Sequence, residues 1–179
     1  MLYDYEILNT SVKFSNDFST IDERQLWLPT FTVPKIFIME STHFVIVDDD
    51  AINNRLCQLC IARHFGDVPI KSYQDPNLAL RAIGSGYDEN LEKPTVLFLD
   101  IQMPQINGWQ FLDQFGAFPE AVRRQFKIYI LSASTDRANI EAANNHPLVS
   151  GFLSKPLTAA AMERVFRTLP EDYGVRCFS

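Results

Sequence analysis

Polar residues with complementary chemistry follow four short apolar runs of the sequence. FVIV is followed by Asp48-Asp49-Asp50, TVLFL by Asp100, KIYIL by Ser132, and GFL by a serine and then Lys155. If these runs are parallel strands of one sheet, their carboxyl ends meet at one edge, which is where such sheets bind ligands. Carboxylates brought together there repel one another unless a cation lies among them. The pattern therefore predicts a divalent cation site.

The residue types at these positions favour Mg²⁺ and a phosphoryl group. Oxygen ligands without His or Cys are typical of Mg²⁺, which binds one or two carboxylates and leaves room for a phosphate oxygen. Lys155 would add a positive charge opposite the metal, and Ser132 a hydroxyl. Together these groups would bind the oxygens of a phosphoryl group held covalently by a carboxylate, where positioning and charge neutralisation supply most of the catalysis.

The elements that must position these groups alternate between strands and helices from His43 onward. The continuously apolar first, third and fourth runs are typical of strands that are buried on both faces. Five βα units with right-handed crossovers predict an α/β fold, a doubly wound five-stranded parallel sheet with helices on both faces, over residues 43–169. The predicted strands are Phe44–Val47, Val68–Tyr73, Thr95–Leu99, Lys127–Leu131 and Val149–Leu153.

Helical spacing predicts which residues of three helices face the core. Asp75 and Thr158 are the predicted N-caps of the second and the last helix, and Pro76 is the predicted first-turn residue of the second. The predicted buried faces are Ile52, Leu56, Leu59 and Cys60 for the first helix, Leu78, Ala79, Ala82 and Ile83 for the second, and Met162, Val165, Phe166 and Leu169 for the last.

Charge and composition narrow the class of partner and the compartment. A net charge of −6 and a pI near 5.0 argue against binding to nucleic acid or an anionic membrane. No apolar run approaches the roughly 18 residues of a membrane span, and no signal peptide precedes the domain, so we expect a cytoplasmic protein. The three cysteines, Cys57, Cys60 and Cys177, are expected to be free thiols, and their spacing does not indicate a zinc site.

The flanking segments are predicted to lie outside the domain. Residues 1–42 are aromatic, interrupted by prolines and poor in helical period, and form an N-terminal extension; residues 170–179 form a C-terminal tail. Met39 would be a natural start, so the upstream residues are either the result of an early start assignment or a real arm packed on the domain. Mass spectrometry of the native N-terminus would distinguish the two.

The motifs VDDD, LDIQMPQINGW, ILSAS and FLSKP, in this order, resemble the receiver domain of bacterial response regulators, which is CheY-like. The resemblance implies a flavodoxin-like strand order of 2-1-3-4-5 and a function in a two-component phosphorelay. It implies that Asp100 accepts a phosphoryl group from a histidine kinase or a histidine phosphotransfer protein. The Mg²⁺ ligands that it implies are Asp49, Asp100 and the backbone carbonyl of Gln102, with Asp48 acting mainly through water.

The resemblance also implies a switch. Ser132 and Lys155 would contact the phosphoryl group, and Phe152 would turn inward when Ser132 is drawn towards it, reshaping the face of the fourth and fifth strands and their helices. The bond between Lys155 and Pro156 is expected to be cis. That face would bind an unknown downstream protein target, and it is also where the family often forms homodimers. The short tail predicts a receiver without an attached output domain.

Two alternatives belong to other functional classes. A receiver that binds its partner without phosphorylation usually lacks Asp100, the acidic pair or Lys155, and all are present here. A phosphatase of the haloacid dehalogenase type would also use a strand-end aspartate, but it carries a second aspartate as general acid where this chain has Gln102. The domain is therefore expected not to be an enzyme, beyond its own phosphorylation and dephosphorylation. Gln102 and Ser134 are expected to influence how long the phosphoryl group persists.

Overall fold

The five predicted strands form one parallel sheet in a computed structural model that describes residues 42–86, 94–134 and 136–169. The strand order is β2-β1-β3-β4-β5, as expected, so β1, β3 and β4 occupy the interior of the sheet. The strands are β1 (His43–Val47), β2 (Ile70–Tyr73), β3 (Thr95–Leu99), β4 (Phe126–Ser132) and β5 (Val149–Ser154). The predicted tail, and the predicted extension up to residue 41, lie outside the described residues.

Helices follow each strand and cover both faces of the sheet. Within the described ranges they are α1 (Ala51–Phe65), α2 (Pro76–Gly86), α3 (Gly108–Gly116), the single turn α4 (Glu120–Arg123), α5 (Arg137–Asn145) and α6 (Ala159–Phe166). The sequence pattern did not predict α4. None of these helices combines the length and hydrophobicity that a bilayer crossing needs.

Alternate residues of the interior strands contribute to two hydrophobic cores, one on each side of the sheet. The first core receives residues of α1 and α6, and the second core receives residues of α2, α3 and α5. In β3, for example, Phe98 belongs to the first core, whereas Leu97 and Leu99 belong to the second. Burial on both faces explains why these strands are continuously apolar in sequence.

The predicted buried face of α1 is wrong. Ile52 is 70% exposed, Leu56 49% and Leu59 50%, and Cys60 is half-buried. The helix instead buries Asn54, Cys57 and Ile61. The reason is that α1 carries apolar residues around most of its circumference, so helical spacing alone does not decide which side meets the sheet.

The other helix predictions are largely confirmed. In α2, Ala79 and Ile83 are buried as expected, but Leu78 is 50% exposed and Leu80 takes its place in the core. In α6, the buried residues include Met162 and Val165, followed by Leu169, and Phe166 packs at the edge of the first core.

Both predicted N-caps are present. Asp75 Oδ1 accepts a hydrogen bond from the backbone N–H of Asn77 (2.8 Å), and Thr158 Oγ1 accepts one from Ala161 (3.2 Å). These bonds satisfy backbone donors that the first turn of a helix leaves unpaired. They fix where α2 and α6 begin, at the edge of the sheet that carries the polar strand ends.

The second strand is shorter than predicted, because it begins at Ile70 rather than Val68. Pro69 has no N–H to donate, and its carbonyl accepts from Phe44 (2.9 Å) before the ladder starts. Val68 is still buried, in the first core. Its apolar character therefore reflects packing beneath α1 rather than strand pairing.

Candidate functional site

Three aspartates meet where β1 and β3 end. Asp48 and Asp100 are only 1% and 6% exposed, whereas Asp49 is exposed at the mouth of the site. The backbone N–H of Asp100 donates to the carbonyl of Val47 (2.9 Å), which continues the ladder between the two strands up to the acidic residues. Neighbouring parallel strands thus bring their terminal side chains together, as the sequence predicts.

Lys155 reaches this cluster from the end of β5. Its Nζ lies 2.6 Å from Asp48 Oδ2 and 3.0 Å from Asp100 Oδ2, and its side chain is 11% exposed. Burial by itself would lower the pKa of Lys155, but its hydrogen bonds to Asp48 and Asp100 and their charges outweigh burial, and the pKa is raised. Lys155 is therefore a fixed positive charge between two buried carboxylates.

Burial and neighbouring groups have opposing effects on the pKa of the Asp100 carboxyl group. Burial raises its pKa above the ordinary value, and the charge of Asp48 acts in the same direction. The hydrogen bond and charge of Lys155 oppose this increase, as does a hydrogen bond from the backbone of Gln102. Asp100 is consequently a carboxylate whose ionised form depends on nearby positive charge.

The three aspartates have the composition of a site for a hard divalent cation. One carboxylate oxygen from each of Asp48, Asp49 and Asp100 can be chosen so that all lie within 4.8 Å of one another. Lys155 offsets only part of three negative charges, and every side-chain donor in the cluster is oxygen. This donor set fits Mg²⁺ rather than a metal that prefers nitrogen or sulfur.

The segment after Asp100 is held close to the site by α3. Asn107 caps this helix, and its side chain and that of Gln110 form a reciprocal capping box. A Cβ on Gly108 would lie 2.6 Å from the backbone oxygen of Asp100, closer than real contacts allow. Glycine is therefore required here for α3 to approach the strand end, a requirement that the sequence pattern does not indicate.

The remaining predicted site residues lie on β4 and β5. Ser132 is fully buried; its Oγ accepts from the backbone N–H of Ser134 (3.2 Å), and its carbonyl accepts from that of Lys155 (2.9 Å). Phe152 pairs in register with Ile130 and packs against the second core while remaining half-buried. The peptide bond between Lys155 and Pro156 is cis, as expected.

The turn between β1 and α1 is stabilised by its own side chains. Asp48 Oδ1 accepts from the N–H of Asp50 (3.0 Å), and Asp50 Oδ1 caps α1 by accepting from Ile52 (2.7 Å). Asn54, 5% exposed, donates from Nδ2 to the backbone carbonyl of Asp48 (2.7 Å). Asn54 was also missed from sequence, although a polar residue between apolar ones on a covered helix is a recognisable signal.

The sheet order and the two-sided helix cover define a flavodoxin-like α/β domain, with an acidic cluster and a buried lysine at the carboxyl ends of its strands. Comparison with protein families gives a match to the response regulator receiver domain over residues 44–167. The chain belongs to this family.

Solved structures agree with this assignment. A response regulator receiver protein from Dyadobacter fermentans is 27% identical with a TM-score of 0.63, and the match covers 70% of this chain and 95% of that one. A two-component response regulator from Cytophaga hutchinsonii is also 27% identical, with a TM-score of 0.66 and coverage of 72% and 96%. Both matches cover nearly the whole of the other chain.

Among curated proteins, stress response regulator protein 1 of Scheffersomyces stipitis is 36% identical over 66 residues. The match covers 37% of this chain and 21% of that protein. The chain therefore aligns with about a fifth of that relative, which supports the receiver assignment and not the activity of the whole relative.

Proposed function

We propose that this receiver domain accepts a phosphoryl group on Asp100, with Mg²⁺ bound beside it, from a histidine kinase or a histidine phosphotransfer protein. The observation that carries the proposal is the buried contact of Lys155 Nζ with Asp100 Oδ2 (3.0 Å), beside Asp48 and Asp49. A buried carboxylate beside an ammonium group and two further carboxylates that can hold a cation suits a reaction that adds negative charge.

The residues of the chain have separate roles in this proposal. An oxygen of Asp100 forms a bond to phosphorus while the bond from phosphorus to the donor nitrogen, or to the oxygen of acetyl phosphate, breaks and the leaving group departs. Lys155 stays protonated and binds a phosphoryl oxygen, and Ser132 donates its hydroxyl to another. Asp49, Asp100 and the carbonyl of Gln102 would hold Mg²⁺, with Asp48 mainly through water, and the bound ion would supply positive charge to offset that of the phosphoryl oxygens.

The output would be a change of protein contacts. Movement of Ser132 towards the phosphoryl group would free space for Phe152, which is half-buried and packs on the second core. The surface of β4, α5, β5 and α6 would then bind a downstream protein or a second copy of the chain. The domain would not turn over a separate substrate. A cytoplasmic location stays a prediction.

The phosphorylation test uses acetyl phosphate, Mg²⁺ and intact-mass spectrometry. The wild-type chain should gain one phosphoryl group, and Asp100→Asn should gain none. Asp113→Asn is the matched control, because Asp113 is an exposed aspartate on α3 and should leave the gain unchanged. A phosphoryl group that persists in Asp100→Asn, or no gain in the wild type, would overturn the proposal.

The donor protein is expected to contact the exposed stripe of Ile52, Leu56 and Leu59 on α1. This stripe begins directly after Asp49 and Asp50, so a partner whose histidine reaches Asp100 past Asp49 would cover it. Leu56→Glu should slow transfer from a phosphorylated donor protein about tenfold, as expected when an apolar interface contact is replaced by a charge. Phosphorylation by acetyl phosphate should be unchanged; equal slowing with both donors would place the defect in the site instead.

A further inference from the structure

Asn54 is a buried residue on α1, and the two polar atoms of its side chain differ in their hydrogen bonding. Its Nδ2 donates to the carbonyl of Asp48 (2.7 Å), whereas its Oδ1 is buried without a hydrogen-bond partner among the described residues. An unpaired buried acceptor is unfavourable, and an apolar residue in the first core would avoid that cost. The presence of an amide here therefore points to a use for its donor.

The side-chain nitrogen of Asn54 bonds to Asp48, the residue that connects β1 to the site. The N–H of Asp48 donates to Tyr73 (3.1 Å) across the sheet, and its side chain accepts from Asp50 within the turn. The side-chain amide of Asn54 donates a hydrogen bond to the carbonyl of Asp48 and so links the first turn of α1 to the end of β1. With these three bonds, the backbone on both sides of the Asp48 carboxylate is fixed.

The same turn sets the position of Asp49. The backbone N–H of Asn54 donates to the carbonyl of Asp50 (3.0 Å), so Asn54 is bonded to both neighbours of Asp49 in the chain. Asp49 itself is exposed, and the side-chain contact to its backbone, from Gln74, is long (3.4 Å). Its orientation therefore depends on the residues that flank it.

We infer that Asn54 is a positioning residue of the cation site, which holds Asp48 and Asp49 over Asp100 in an arrangement ready to bind Mg²⁺. Residues that orient metal ligands through such hydrogen bonds commonly change metal affinity by about tenfold or more when they are removed. The inference rests on the proposed function, because it assumes that these aspartates bind the ion.

The test measures Mn²⁺ binding by electron paramagnetic resonance, with Mg²⁺ as competitor, and thermal unfolding of the same samples in EDTA. Asn54→Ala should weaken the binding of both ions about tenfold. Ile61→Val is the matched control, because Ile61 is fully buried on the same helix but bonds to neither Asp48 nor Asp50 through its side chain. It should lower the melting temperature and leave both affinities unchanged.

Asn54→Ser provides a second variant in case the alanine variant does not fold; its short side chain retains polarity but does not span to Asp48, and the same loss of affinity is expected. Ion binding that is equal to wild type in either folded variant would overturn the inference. Equal weakening in Ile61→Val would also overturn it, because the effect would then come from general loosening of α1. No Mn²⁺ or Mg²⁺ binding by the wild type would instead contradict the proposed function.

Discussion

The first and the fifth βα units both carry charged residues of the site, and the charges have opposite sign. β1–α1 delivers the acidic residues Asp48 and Asp49 at the start of its helix, and β5–α6 delivers Lys155 just before its own. Both helices cover the same face of the sheet and contact each other. The buried charges of Asp48 and Lys155 compensate each other, and Asp100 at the end of β3 is the second partner of Lys155. The site therefore forms where βα units that are distant in sequence pack together, rather than from one motif.

The two helices also differ in how they divide their surfaces. α6 has its apolar residues on one side, and that side, with Met162 and Val165, is buried. α1 buries one side and leaves Ile52, Leu56 and Leu59 exposed beside the site. A helix with a single apolar face therefore indicates its core contacts by its sequence, whereas a helix with two apolar faces leaves one of them exposed.

The largest expected effect comes from breaking the charge pairing between the two units. Lys155→Met leaves Asp48 and Asp100 buried without their ammonium partner, and we expect the free energy of unfolding in EDTA to fall by about 3–5 kcal/mol near pH 7. Urea denaturation monitored by circular dichroism measures it. Added Mg²⁺ should restore part of the loss in this variant; a loss below about 1 kcal/mol would mean that the pairing contributes little.

A second pair of substitutions compares how much the buried side of α6 and the exposed side of α1 contribute to the free energy of unfolding. Met162→Ala removes a fully buried side chain and should lower the free energy of unfolding by about 2–5 kcal/mol. Leu56→Ala, on the exposed stripe, should change it by less than about 0.5 kcal/mol. The same urea titration tests both. Comparable losses in the two variants would show that the stripe is covered in solution.

Asp100 has a smaller, pH-dependent effect on the free energy of unfolding. Burial raises the pKa of Asp100 in the folded state, so the folded protein binds more protons than the unfolded chain between the two pKa values, and stability decreases as the pH rises through that window. In EDTA near pH 7, Asp100→Asn should therefore be more stable than wild type by about 1 kcal/mol.

That advantage should shrink as the pH is lowered through the raised pKa of Asp100, where Asp100 becomes protonated in wild type. Asp113→Asn, at an exposed position, serves as the control and should show neither effect. An advantage that does not change with pH would contradict this explanation.

The smallest effect concerns a polar contact that joins the two helices directly. His64 Nε2 on α1 lies 3.3 Å from Glu163 Oε1 on α6, where Glu163 is about half exposed. Glu163→Gln should change the free energy of unfolding by less than about 0.5 kcal/mol, because the Glu163 side chain is solvated and loses little when its charge is removed. Thermal unfolding at low and high salt would detect it; a larger, salt-independent loss would indicate a structural hydrogen bond.

The strands, their parallel arrangement and the residues that meet at their ends follow from the sequence pattern. Apolar runs such as those before Asp48 and Asp100 are local and continuous, and the chirality of βα units leaves few ways to join them. Thr158 and Asp75 were predictable for the same reason, since a helix cap depends on only a few neighbouring residues.

The buried face of α1 and the contacts of Asn54 and Gly108, in contrast, depend on the packing of the folded domain. The rotation of α1 about its axis is set by how it packs on β1 and α6, and its apolar residues fit more than one rotation. Asn54 and Gly108 matter because of the backbone of Asp48 and Asp100, which lies near them only in the folded chain. A polar residue on a covered helix can be recognised from sequence, but its partner cannot, because the contact depends on how the helix and the strand end are oriented in the folded domain.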